Sequence, residues 1–201
     1  MWKLIILLTA AIILAAIFFV PPVRGLGELA KIIFFHVPTA WVSVVGFFTS
    51  AFFAAKFLRA GEMKFDELSA RAARLGFIFV LLATASGAVF SKLTWGAYWN
   101  WDPRQTTIFV LILIYGAYLT LRAAVSDEKA RAKVSAVYSL LSVLTVPFLV
   151  FILPRMYFSL HPTPVINSAG RLEMDAEILA VLLAAVLDAT LIFWRLMKEK
   201  N

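Results

Sequence analysis

Cysteine does not occur in this chain of 201 residues, and charge is scarce: Asp, Glu, Lys and Arg together make up 15% of it. The first absence excludes disulfides, thiol redox chemistry and thiolate metal ligands. The second argues against a soluble domain, which carries about 25% charge. Histidine is nearly missing too, with only His36 and His161, so any metal ion would depend on these two, on carboxylates or on Met. No Gly-rich phosphate loop of the Walker type is present, which places any ATPase on a separate chain. There is no long polar linker and no second domain, so residues 1–201 read as one unit.

What remains is 62% hydrophobic. Apolar runs of about 20 residues, long enough to cross a bilayer, recur along the chain. Lipid offers no hydrogen bonds to the backbone, so a spanning segment is a helix or a strand of a closed barrel. These runs are too long and too uniformly apolar for barrel strands. The fold class is therefore all-α, a polytopic membrane protein with six transmembrane helices. They fall at about Leu4–Val20, Ile33–Phe57, Leu75–Phe90, Thr106–Leu121, Val134–Leu153 and Ala176–Trp194. Lys3 ahead of the first run would also suit a signal peptide; the expectation is a retained span.

With both termini cytoplasmic, thirteen of the 19 Lys and Arg fall inside, and Arg24, Lys31, Lys92, Arg104, Arg155 and Arg171 fall outside. The positive-inside rule favours that orientation. Topology then accounts for the net charge of +7, and nucleic acid need not be invoked. The two histidines share the outer face with one unusual loop, about residues 92–104. Trp95, Tyr98, Trp99 and Trp101 fall there within seven positions, followed by Asp102, Pro103 and Arg104.

Trp and Tyr gather at membrane interfaces in any case, but a belt scatters them over many span ends, and here they are concentrated. If 93–101 were helical, Trp95 and Trp99 would share a face, being four apart. Asp102 suits a helix N-cap and Pro103 the first helical position, so span four starts there. Gly96 lets a flat object approach the backbone. Lys92 and Arg104 flank the aromatics and could meet carboxylates, with Arg24 a weaker candidate; a snorkelling anchor is the plainer reading of Arg104. A single His near a helix end is more often a hydrogen-bonded interface residue than a ligand. Two on one face, with an aromatic platform between them in sequence, suit the two axial positions of a haem iron. They suit zinc poorly, since catalytic zinc takes three protein ligands. Asp188 lies inside span six, where a carboxylate is a functional candidate, yet near the cytoplasmic end. Ser86-Gly87 and Gly46 read as small-residue contacts between helices. Pro147 and Pro154 bracket a bend in span five.

The run Trp95–Asp102 resembles the tryptophan-rich WWD signature of the haem-handling proteins of cytochrome c maturation. His36-Val37-Pro38-Thr39-Ala40-Trp41 resembles the stretch that opens the second span in their CcmC branch, and Leu160-His161 resembles the pair in that branch's last outer loop. Six spans and about 200 residues match as well. Where the branch pattern continues WDAR-L-T, this chain reads WDPRQT, departing at Pro103 and Gln105; Pro103 is more like the larger synthetase branches.

The resemblance implies haem b, bound without a covalent bond on the outer face against Trp95, Gly96, Tyr98, Trp99, Trp101, Asp102 and Arg104. His36 and His161 would be its axial ligands, and Arg104 a partner for a propionate. It implies a haem holder with no turnover chemistry, in the cytoplasmic (inner) membrane. Expected partners are a CcmE-type haem chaperone, an ABC-type ATPase, its membrane subunit, a small single-span subunit and membrane lipid. The rivals are a b-type cytochrome, which usually places its ligands deeper in the spans; a cytochrome c haem synthetase, which usually has more spans and histidines; and a permease, which predicts midplane polar residues.

Overall fold

A computed structural model describes residues 2–23, 25–161 and 174–199. These are helical apart from turns, loops and one isolated bridge between Val23 and Gly27. The helices are α1 (Trp2–Phe18), α2 (Ile33–Ala60), α3 (Met63–Trp95), α4 (Pro103–Ala124), α5 (Glu128–Pro147), α6 (Leu153–Met156) and α7 (Ala176–Lys198). A short 3-10 turn, Glu28–Ile32, leads into α2, and a π turn, Phe148–Ile152, joins α5 to α6.

Five of these stretches are long and apolar enough to cross a membrane: Glu28–Ala60, Met63–Trp95, Pro103–Ala124, Glu128–Met156 and Ala176–Lys198. The expected first span forms the 17-residue apolar α1, which is shorter. At 1.5 Å per residue it reaches about 25 Å, against a hydrocarbon core of about 30 Å.

Local chemistry sets the boundaries. Gly61 takes φ 71° and closes α2, its N–H bonding to the Phe57 carbonyl. Asp102 caps α4 by accepting the Arg104 N–H at 2.9 Å, with Pro103 at the first turn, as expected. Asp127 caps α5 the same way through Ala130. A π turn, Phe148–Ile152, lies between Pro147 and Pro154, where the sequence predicts a bend.

Helices α2 and α3 pack closely. A Cβ on Gly46 would lie 2.8 Å from the Gly76 Cα, so their backbones approach as only glycine allows. Phe47, Val80, Leu111, Tyr115, Val146 and Leu149 form a buried core joining α2, α3, α4, α5 and the π turn, with Phe47 stacked on Tyr115. Below it Ser50 bonds to Ser69 and Ser139.

Near the start of α3, Asp66 takes a two-pronged ion pair from Arg122, at 2.7 and 2.8 Å. Asp66 is buried, and the pair ties α3 to α4. Loss of one partner would strand the other charge, at a cost of about 3–5 kcal/mol. Asp188 accepts the Thr9 hydroxyl at 2.6 Å, which fastens α1 to α7. Its other oxygen, Oδ1, is buried with no hydrogen-bond partner among the described residues.

Candidate functional site

The ends of α2, α3, α4 and α6 nearest the aromatic loop line an open cavity of about 180 Å3. His36, Gly87, Trp99, Arg104, Pro154 and His161 are among the residues lining it. It continues into a wider cleft of about 480 Å3, bounded by α2, the π turn with α6, and α7, which also reaches both histidines. The second volume is of the order that small-molecule sites have, and the walls are mostly apolar.

His36 sits on the first turn of α2. Its Nδ1 lies 3.0 Å from the Ala83 carbonyl and 3.1 Å from the Ser86 hydroxyl. A carbonyl only accepts, so Nδ1 carries the proton and Nε2 keeps its lone pair. Gly87 makes room for the ring: a Cβ there would lie 2.9 Å from His36 Cε1. Ser86-Gly87 therefore packs against a histidine, a more specific task than a helix contact. Position in sequence gave no sign of it, because the two lie on different helices.

His161 is held by a different device. Asp102, besides capping α4, accepts the Ser159 hydroxyl at 2.9 Å and the Leu160 N–H at 2.7 Å. Its carboxylate lies 3.5 Å from His161 Nδ1, and that nitrogen has no hydrogen-bond partner. Burial, and then the charge of Arg104, push the His161 imidazole down to about 4, against the pull of Asp102. It is neutral at neutral pH, the form that ligates metal. Burial alone would raise the Asp102 carboxyl. The bonds from Arg104, Leu160 and Ser159, with the charge on His161, outweigh that and leave it below its ordinary range.

The aromatic loop departs from the helical expectation. Gly96 takes φ 84° and ends α3 at Trp95, so Trp95 and Trp99 do not share a helical face. Trp95 packs edge-on to Phe90 and lies 5.5 Å from the His161 ring. Trp99 lines the cavity and meets Trp101 and Phe109 edge-to-face. Tyr98 and Trp101 are 60% and 75% exposed and do not line the cavity, and neither does the exposed Gly96. Trp101 adopts φ 56°, a costly conformation for a bulky residue.

Gln105, one of the departures from the branch pattern, is buried and fixes the loop. Its side chain accepts the Asn100 N–H at 2.8 Å and donates to Ser91, which Asn100 also reaches at 2.6 Å. Lys92 donates to the Gly96 carbonyl and does not line the cavity. Arg24 lies outside the described residues, as do the prolines that follow His161.

Among the described residues no three His, Asp or Glu converge to hold a bare metal ion. Two neutral imidazoles in one apolar cavity suit instead a metal that brings its own planar ring of donors. The profile of the heme exporter protein C family, CcmC, matches residues 1–200. The chain belongs to the CcmC family. It is 30% identical to heme exporter protein C of Bradyrhizobium diazoefficiens over 83% of this chain and 63% of that protein. Identity to the protein of the same name from Rhodobacter capsulatus is 27%, over 80% and 64%. With the Escherichia coli K12 protein it is 30%, over 65% and 54%. The matched stretch thus spans under two thirds of each of these CcmC relatives.

Proposed function

We propose that this protein holds haem b, without a covalent bond, on the outer face of the membrane and hands it to a CcmE-type chaperone for cytochrome c biogenesis. Haem is cargo in this reading, and no bond-making step belongs to the protein. The observation that carries it is the convergence of His36 and His161, the two histidines of the chain, on one apolar cavity. Each presents a neutral ring, one backed by the Ala83 carbonyl and the other by Asp102. Bis-imidazole ligation shields iron from water and lets one ligand exchange at a time. Trp95 and Trp99 would flank the macrocycle, Trp101, Tyr98 and Gly96 would form the outer rim a chaperone meets, and Arg104 would pair with a propionate.

The family supports the rest of the proposal. The chain is one six-helix unit, residues 1–201, in the cytoplasmic (inner) membrane, with both termini inside and α1 as the sixth span. An ABC-type ATPase, its membrane subunit, a small single-span subunit and lipid are its partners.

The test is an absorption spectrum of the purified protein, oxidised and reduced, for wild type, His36→Ala and His161→Ala. A low-spin six-coordinate spectrum that turns high-spin or weakens in each variant is the expected result. A spectrum that survives both changes unaltered, or a wild type without haem, would sink the ligand assignment.

A further inference from the structure

The outer face carries more positive charge than the site described so far uses. Lys31 is matched by Glu28 at 2.8 Å and donates to the Ile17 carbonyl. Lys92 is turned onto the Gly96 carbonyl and the Tyr98 ring. Neither lines the cavity. Arg104 and Arg155 do: both border the wider cleft, together with both histidines.

Among the described residues neither guanidinium has a carboxylate partner. The Arg104 Nε is fully buried with nothing to donate to. The nearest acid, Asp102, spends its oxygens on Ser159, Leu160 and the Arg104 backbone N–H. The two guanidiniums are also close enough to repel one another. Among the described residues, these two like charges at the mouth of an apolar cavity lack a carboxylate bonded to either guanidinium, and are left for an anion to satisfy. A guanidinium meets a carboxylate through two parallel hydrogen bonds, so two of them fit two carboxylates.

We propose that Arg155 is a specificity-determining residue, gripping one carboxylate of a planar dicarboxylate ligand while Arg104 grips the other. The inference rests on the haem reading and adds to it. The carboxylate edge of the macrocycle points outward, between α4 and α6. The opposite, apolar edge points down the cleft toward Val44 and Leu182, which lie deeper on α2 and α7. Pro154, buried beside Arg155, fixes the approach of α6 to the cavity. The protein thereby distinguishes a diacid porphyrin from one whose carboxylates are masked.

The experiment titrates the full chain in lipid nanodiscs with ferric haem and with haem dimethyl ester, for wild type, Arg155→Gln and Lys92→Gln. Comparing the ratio of the two affinities between variants cancels partitioning of the porphyrins into lipid. Wild type prefers the diacid. Arg155→Gln weakens haem binding by roughly tenfold, the size of a lost charged hydrogen bond, changes diester binding little, and keeps the low-spin spectrum. Lys92→Gln leaves the wild-type ratio in place. An Arg155→Gln ratio equal to the wild-type one overturns the inference and leaves the haem reading standing. A wild type that binds neither porphyrin overturns the haem reading, and this inference with it.

Discussion

Asp102 lies 3.5 Å from the Nδ1 of His161 while the same carboxylate caps α4 and accepts the Leu160 N–H. The aromatic loop and the histidine loop, far apart in sequence, are joined through this one side chain.

Asp102→Asn separates its tasks. Asparagine caps helices as well as aspartate does, so α4 should persist. The amide offers one acceptor oxygen where the carboxylate offers two, so the Ser159–His161 segment loses part of its anchorage at a cost of about 1–3 kcal/mol. The melting temperature should fall modestly while bound haem shifts toward the high-spin form. An Asn variant with the wild-type spectrum and reduction potential would show that Asp102 does nothing for His161 beyond capping.

A second outcome concerns pH. An ordinary imidazole titrates near 6.5, and a ligand of that kind would lose affinity about tenfold per pH unit below it. His161, held down to about 4, stays neutral far lower. Its ligation should be flat from pH 8 to about 5 and fail only near 4, read as haem affinity across that range. Stability without haem declines over an earlier window as pH falls. Without haem, the unfolded chain takes up its proton below about 6.5 and the folded one not until about 4, so this histidine subtracts stability as pH falls through that window. A steep loss of affinity starting at pH 6.5 would contradict the burial argument.

Gly87→Ala tests the seat of His36. Alanine favours the helix by about 1 kcal/mol, so the unliganded protein should melt no lower than wild type. Its Cβ would press on the imidazole at 2.9 Å, and the ring must turn. Haem affinity should drop severalfold with loss of the low-spin band. An unchanged spectrum would mean that the ring has other space to use.

Much of this architecture was readable because it obeys local rules. Apolar runs located α2, α3, α4, α5 and α7, and Asp102-Pro103 announced the start of α4. What escaped depends on contacts between distant residues. Nothing near Ser159 says that it will bond to Asp102, and nothing near Asp66 says that Arg122 will meet it across two helices. The end of α3 was misread for another reason. Trp95 and Trp99 have helical spacing, but Gly96 sits between them and adopts a backbone conformation that stops the helix. The histidines were identified by their rarity. Arg155 was not, because a lone arginine at a span end looks like any topological anchor.

The π turn at Phe148–Ile152 has a consequence for phase. Its closing bond runs from the Leu153 N–H to the Phe148 carbonyl, five residues back where an α-helix uses four. That is one residue more than regular winding needs, and each residue turns an α-helix by about 100°. Everything beyond it is rotated by that amount about the axis. Deleting one residue from this segment would restore regular winding and swing Pro154 and Arg155 off the cavity side, while leaving the tryptophan-rich run and both histidine stretches of the chain unaltered.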